Sequence, residues 1–112
     1  MRKSEFVNIL KESCPTVNEG ITSNKNENCY PRIVYWDYIW EDIMASGNEY
    51  EVQETYQVSF YSLTPKHKNL LLLRDKLREA GIHPVIYHEY VETDKVWHSY
   101  FKVEVIADEQ DV

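Results

Sequence analysis

Tyr56-Gln57-Val58-Ser59-Phe60-Tyr61-Ser62-Leu63-Thr64-Pro65, continued by a basic stretch that closes at Gly81, decides the fold. Tyr56, Val58 and Phe60 recur at every second position, the period of a strand with one buried face. Thr64 and Pro65 predict the N-cap and first position of a helix, because the hydroxyl can satisfy an orphan N–H and proline has none to lose. Leu70, Leu73 and Leu77 then step by three and four residues, laying an apolar stripe along a helix of about four to five turns from Pro65 to Ala80. Gly81 is its stop.

Upstream, Phe6, Ile9, Leu10 and Ser13 share one face of a short amphipathic helix from Arg2 to about Ser13, ended by Pro15. Residues from Thr16 to Asn28, rich in asparagine and without period, predict a mobile polar loop. Tyr30-Pro31-Arg32-Ile33-Val34-Tyr35-Trp36 opens a strand, with Pro31 where a missing N–H costs little. After a turn marked by Ala45-Ser46-Gly47-Asn48, a second strand from Tyr50 to Tyr61 completes a long hairpin. A second hairpin follows Gly81. A two-residue loop at Thr93-Asp94 sets Ile86 against Phe101 and Tyr90 against Trp97 on a core face, and Glu89 against His98 and Tyr87 against Tyr100 on a wet one. The acidic tail from Ala107 to Val112 is expected to fray. The fold class is therefore α+β, a small single domain over residues 1–112 in the order α-β-β-α-β-β, with a mostly antiparallel sheet and helices packed on it.

The net charge of −7 matters for where it sits. From Thr64 to Gly81, Lys66, Lys68, Arg74, Lys76 and Arg78 stand against Asp75 and Glu79, a local +3 that leaves −10 for the rest. From Ile33 to Pro65 there is no Lys or Arg, while Asp37, Glu41, Asp42, Glu49, Glu51 and Glu54 are all acidic. An electrically two-sided molecule suits head-to-tail self-association. Arg2 and Lys3 precede an apolar run broken by Asn8 and Lys11, which patterns as neither a signal peptide nor a membrane span. A soluble protein made in a cytoplasm, with Cys14 and Cys29 as free thiols, is the expectation.

No residue pattern points to catalysis, a cofactor or a metal. Gly20, Gly47 and Gly81 are too scattered for a phosphate loop. His67, His83, His88 and His98 lack metal-ligand spacing, and His88 and His98 fall on opposite faces of the predicted hairpin. Glu89 opposite His98 could be drawn as a general-base pair, yet a cross-strand ion pair explains it. Fifteen aromatic residues could stack on single-stranded nucleic acid, but the aromatic hairpin is where the acids are, and a phosphate-tracking surface needs cations. Large amphipathic aromatics on strands otherwise mean core or a protein interface.

The order of a short leading helix, the Tyr30-Pro31-Arg32-Ile33-Val34-Tyr35 strand, the Tyr56-Gln57-Val58-Ser59-Phe60-Tyr61 strand, the helix from Pro65 to Ala80 and a closing strand at Tyr100-Phe101-Lys102-Val103-Glu104-Val105 resembles the small tail-completion and tail-terminator proteins of long-tailed bacteriophages and prophages. The resemblance runs from about Phe6 to Val105 and leaves the loop from Thr16 to Asn28 without a counterpart. It implies a structural protein of the virion, made in the host bacterial cytoplasm. Its subunits would form a ring, commonly hexameric, that caps the tail tube and joins it to the head connector. Its partners would be copies of itself, the tail-tube protein and the head-connector protein, with DNA passing unbound and no membrane. On that implication Lys66, Lys68, Arg74 and Arg78 are candidates for a subunit interface, and Asp37, Glu41, Asp42, Glu49, Glu51 and Glu54 for an acidic lumen or partner face. Another head-to-tail connector component, or a small regulatory or nucleic-acid-associated module using the basic helix, are the alternatives.

Overall fold

A computed structural model describes residues 1–23, 25–44 and 50–107 of the chain. Two helices lie on one face of a five-stranded, mostly antiparallel sheet. Helix α1 spans Lys3–Ser13, and strands β1 and β2 span Val17–Glu19 and Arg32–Met44. Strand β3 spans Tyr50–Ser62, helix α2 Lys68–Glu79, and strands β4 and β5 Tyr87–Val91 and Val96–Ile106. The spatial order is β1-β2-β3-β5-β4. The α+β architecture of the sequence reading holds, with one strand added.

That added strand corrects the expectation of an irregular loop from Thr16 to Asn28. Val17 to Glu19 pair in parallel with Ile33 to Tyr35, and Gly20 turns the chain away at φ +86, a region open to glycine. The Ala45 to Asn48 turn and the acidic tail beyond Ala107 fall outside the described residues. Ala107 itself is buried, its N–H donating to the Val52 carbonyl at 2.9 Å.

Alternation places the core. Ile33 and Tyr35 of β2, Tyr56, Val58 and Phe60 of β3, and Phe101, Val103 and Val105 of β5 form one buried face. Phe6 and Leu10 of α1 and Leu70, Leu73 and Leu77 of α2 pack onto it, each such burial favouring the fold by about 1.5–3 kcal/mol. Phe6 meets Tyr35 edge-on at 6.0 Å and Tyr56 at 5.5 Å. The two helices are tied together where one ends and the other begins, because Asn69 Nδ2 donates to the Ser13 carbonyl at 2.9 Å, a C-terminal carbonyl with no partner inside α1.

The start of α2 also differs from the expectation. Thr64 and Pro65 lie in a turn, Lys66 takes φ 51, and the helix begins at Lys68 with His67 as N-cap, its Nδ1 accepting from the Asn69 N–H at 3.1 Å. The Thr-Pro pair signals a change of direction that the chain completes before the helix starts, so α2 has 12 residues instead of the expected 16-residue span from 65 to 80. Its end follows the expectation. Gly81, at φ +85, sends its N–H to the Arg78 carbonyl at 2.9 Å while the Ile82 N–H reaches the Leu77 carbonyl at 2.8 Å, a Schellman closure with Ile82 packed against the core.

The second hairpin has the predicted register: Tyr87 opposes Tyr100, Glu89 opposes His98 and Tyr90 opposes Trp97, around a turn at Glu92 to Lys95. Phe101, Val103 and Val105 are buried as expected, but Tyr90, near the end of the edge strand, stays exposed. The first hairpin has a bulge: Asp37 opposes Tyr56 and Ile39 opposes Thr55, leaving Tyr38 unpaired. Beyond it, β2 and β3 outrun their neighbours. Strand β1 covers only Ile33 to Tyr35, so from the bulge outward β2 is an open edge, and β5 accompanies β3 only to Gln53; this outer part of the hairpin forms an arm whose last residues, 42–44 with 50–52, are two-stranded. The molecule is accordingly elongated, 51 × 29 × 21 Å.

Candidate functional site

The uncovered face of the sheet holds the arrangement nearest to chemistry. His98 stands opposite Glu89 on β4 and beside Ser59 on β3, with Nδ1 2.9 Å from Glu89 Oε1 and Nε2 2.8 Å from Ser59 Oγ. In the tautomer protonated on Nδ1, the imidazole donates to Glu89 and accepts from the Ser59 hydroxyl, which is the bonding order of a nucleophile relay. Ser59, however, is 0% exposed. Its neighbours across the sheet are Val34 on β2 and Tyr100 on β5, so its main chain is spent on the ladders and its Oγ has no room for an incoming carbonyl. The relay is a hydrogen-bonded seam joining three strands.

That seam sits inside a column of stacked groups. The Arg32 guanidinium lies 4.7 Å from the rings of both Tyr30 and Tyr61. Tyr61 stacks on His98 at 4.7 Å, His98 on Tyr100 at 4.9 Å, and Tyr100 on Tyr87 at 5.6 Å. Four strands are thereby linked by cation–π and ring contacts on the side where there is no helix. The rings face one another, so a base could stack only at the column's two ends, which disfavours a single-strand platform.

The predicted acidic face is dispersed. Glu54 is 6% exposed and receives the Tyr56 hydroxyl at 3.4 Å, so it belongs to the interior and not to a surface face. Glu51 pairs with Arg2 at 3.2 Å. Asp37 accepts the indole N–H of Trp40. Glu41 and Asp42 are exposed on the arm, and being adjacent on a strand they point to opposite sides. Glu49 lies outside the described residues.

The basic set divides too. Lys66 and Arg74 line a groove of about 240 Å³ with Leu70, Leu71, Ile86 and His88, between α2 and the approach to β4. Lys68 lines a separate hollow with Asn69 and Leu72, and Arg78 leans toward Asp75 at 4.0 Å. Lys76 reaches across to Glu12 of α1 at 3.1 Å, a contact within the fold. Arg74 touches Asp75 at 3.5 Å through a terminal nitrogen, but its buried Nε has no hydrogen-bond partner. A groove lined by Lys66 and Arg74 beside Leu70, Leu71 and Ile86 favours an occupant that carries a carboxylate next to an apolar group.

Reading the sequence for charge misses the most unusual surface, which is apolar. Tyr38, Ile39, Trp40, Met44 and Tyr50 are all exposed on the arm, Trp40 at 74%. The signal was present as a run of aromatic residues through Tyr38 and Trp40, but only the bulge and the short neighbouring strands reveal that nothing covers it. Among the described residues no group of three or more His, Cys, Asp or Glu converges as metal ligands, and no helix is long and apolar enough to cross a membrane. No protein-family model matches the chain, and no curated protein matches it.

Proposed function

We propose that the chain is a structural, non-catalytic subunit that associates head to tail into a ring, capping a bacteriophage tail tube and joining it to the head connector. What supports the assembly half of this reading is the two-ended surface: an aromatic and acidic arm at one end, and a basic helix with exposed Leu71 and Leu72 away from it. Unlike surfaces that complement one another generate rings or filaments, whereas like surfaces generate closed dimers. The resemblance in element order supports the tail half. Carboxylates exposed on the arm, Glu41 and Asp42, remain candidates for a surface past which DNA moves without adhering.

The test combines sedimentation of the purified protein over a wide concentration range with electron microscopy of the protein mixed with tail tubes. Rings, and density added at the head-proximal end of the tubes, are expected. Tubes that remain bare would remove the tail assignment. Salt-sensitive binding of duplex DNA, lost on reversing Lys66, Lys68, Arg74 and Arg78, would replace it with a nucleic-acid role.

A further inference from the structure

We infer that Trp40 of one copy seats in the groove between α2 and β4 of the next copy, carrying Asp37 toward Lys66 and Arg74, the cations that line it. This deepens the proposed function and rests on its self-association, not on its tail partner. A tryptophan 74% exposed on the open edge of β2, near Tyr38, Ile39 and Met44, is an anchor without a pocket. The groove lined by Leu70, Leu71, Ile86, Lys66 and Arg74 is a pocket without an occupant, about 240 Å³ in volume and of the order of one large side chain. Buried aromatic and arginine anchors dominate the energetics of protein interfaces.

The charges agree. Asp37 already accepts the Trp40 indole N–H, so a carboxylate travels with the ring, and Asp42 lies two residues beyond it. The groove offers the positive charges of Lys66 and Arg74. The anchor cannot serve its own groove. Trp40 opposes Glu54, whereas His88 at the groove aligns through Ser99 with Phe60, six residues further along β3 and, counted from β2, three strands across. That is roughly 20 Å along the strands and about 14 Å across them. The contact is therefore between different copies.

Sedimentation equilibrium of two variants tests it. Trp40→Ala removes the anchor and keeps the groove; Arg74→Glu spoils the groove and keeps the anchor. Each is expected to weaken self-association by about thirtyfold or more, while circular dichroism shows that both keep the wild-type fold, since Trp40 is exposed and the Arg74 side chain partly so. Mixed in equal amounts, the two defective variants should form a heterodimer and stop there, because one intact arm meets one intact groove and both free ends are disabled. Variants that associate like wild type, a mixture that stays monomeric, or a wild type that is monomeric throughout would each overturn the inference. A heterodimer together with bare tail tubes would leave it standing and remove only the tail assignment.

Discussion

Cys14 and Cys29 show how far one residue type can diverge in one fold. Cys14 is 3% exposed, and its thiol faces the carbonyls of Thr16 and Pro31 at 3.5 Å each. Burial pushes its pKa up, with the Thr16 hydrogen bond opposing. Cys29 is exposed. Because the thiolate is the reactive form, an alkylating reagent is expected to modify Cys29 alone in the native protein and Cys14 only on unfolding, which mass spectrometry of the labelled peptides checks. Tyr35 carries a second consequence: desolvation first, and then the nearby Glu19 carboxylate, raise its pKa. A raised folded-state value means the neutral phenol stabilises the fold below its unfolded pKa and that this contribution is lost as pH rises through the folded one. Tyr35→Phe should therefore flatten the fall of stability above the ordinary tyrosine range, measured by denaturant melts at increasing pH. Neither residue's environment was legible beforehand, and Glu54 was misplaced for the same reason. A carboxylate two positions from Tyr56 reads as one more surface acid until the strands on both sides of it, and the Tyr56 hydroxyl, are in place.

At the scale of elements, legibility followed the strength of the period. The β4–β5 register was readable because a one-residue slip would put Tyr90 on the face of Lys102 and Glu104, and Glu89 on the face of Phe101, Val103 and Val105. The leucine stripe of α2 was readable for the same reason. Its beginning was not, since His67 is an uncommon cap and the positive φ of Lys66 is a backbone choice that no side chain announces. Strand β1 escaped notice because three residues, Val17, Asn18 and Glu19, are too few to show alternation and owe their pairing to Ile33 to Tyr35. Leu73, fully buried between sheet and helix, is where α2 is most exposed to damage. Leu73→Ala is expected to cost about 2–5 kcal/mol in chemical denaturation, as the removed methyl groups leave a cavity in a close-packed core. Leu72→Ala, one position away and on the outer face, should cost under about 0.5 kcal/mol in the same measurement.

For the whole molecule, charge and shape give different maps. The sequence read the protein as acidic hairpin against basic helix, and the separation is there, but Glu54 is inside, Glu51 is engaged by Arg2, and Lys76 is engaged by Glu12. What remains free is narrower and more directional: an arm carrying Trp40 and a groove holding Arg74. The single unpaired residue at Tyr38 matters here in a way that charge does not. A bulge bends and twists the strand that carries it, so it fixes the angle at which the arm leaves the body. In an assembly joined through that arm, this angle sets the rotation from each copy to the next, and the rotation sets how many copies complete a circle. Deleting Tyr38 keeps every pairing beyond it, from Ile39 opposite Thr55 to Met44 opposite Tyr50, and changes only the bend. The expected result, seen by electron microscopy, is a circle of different circumference or an open spiral built from subunits that still melt as the wild type does.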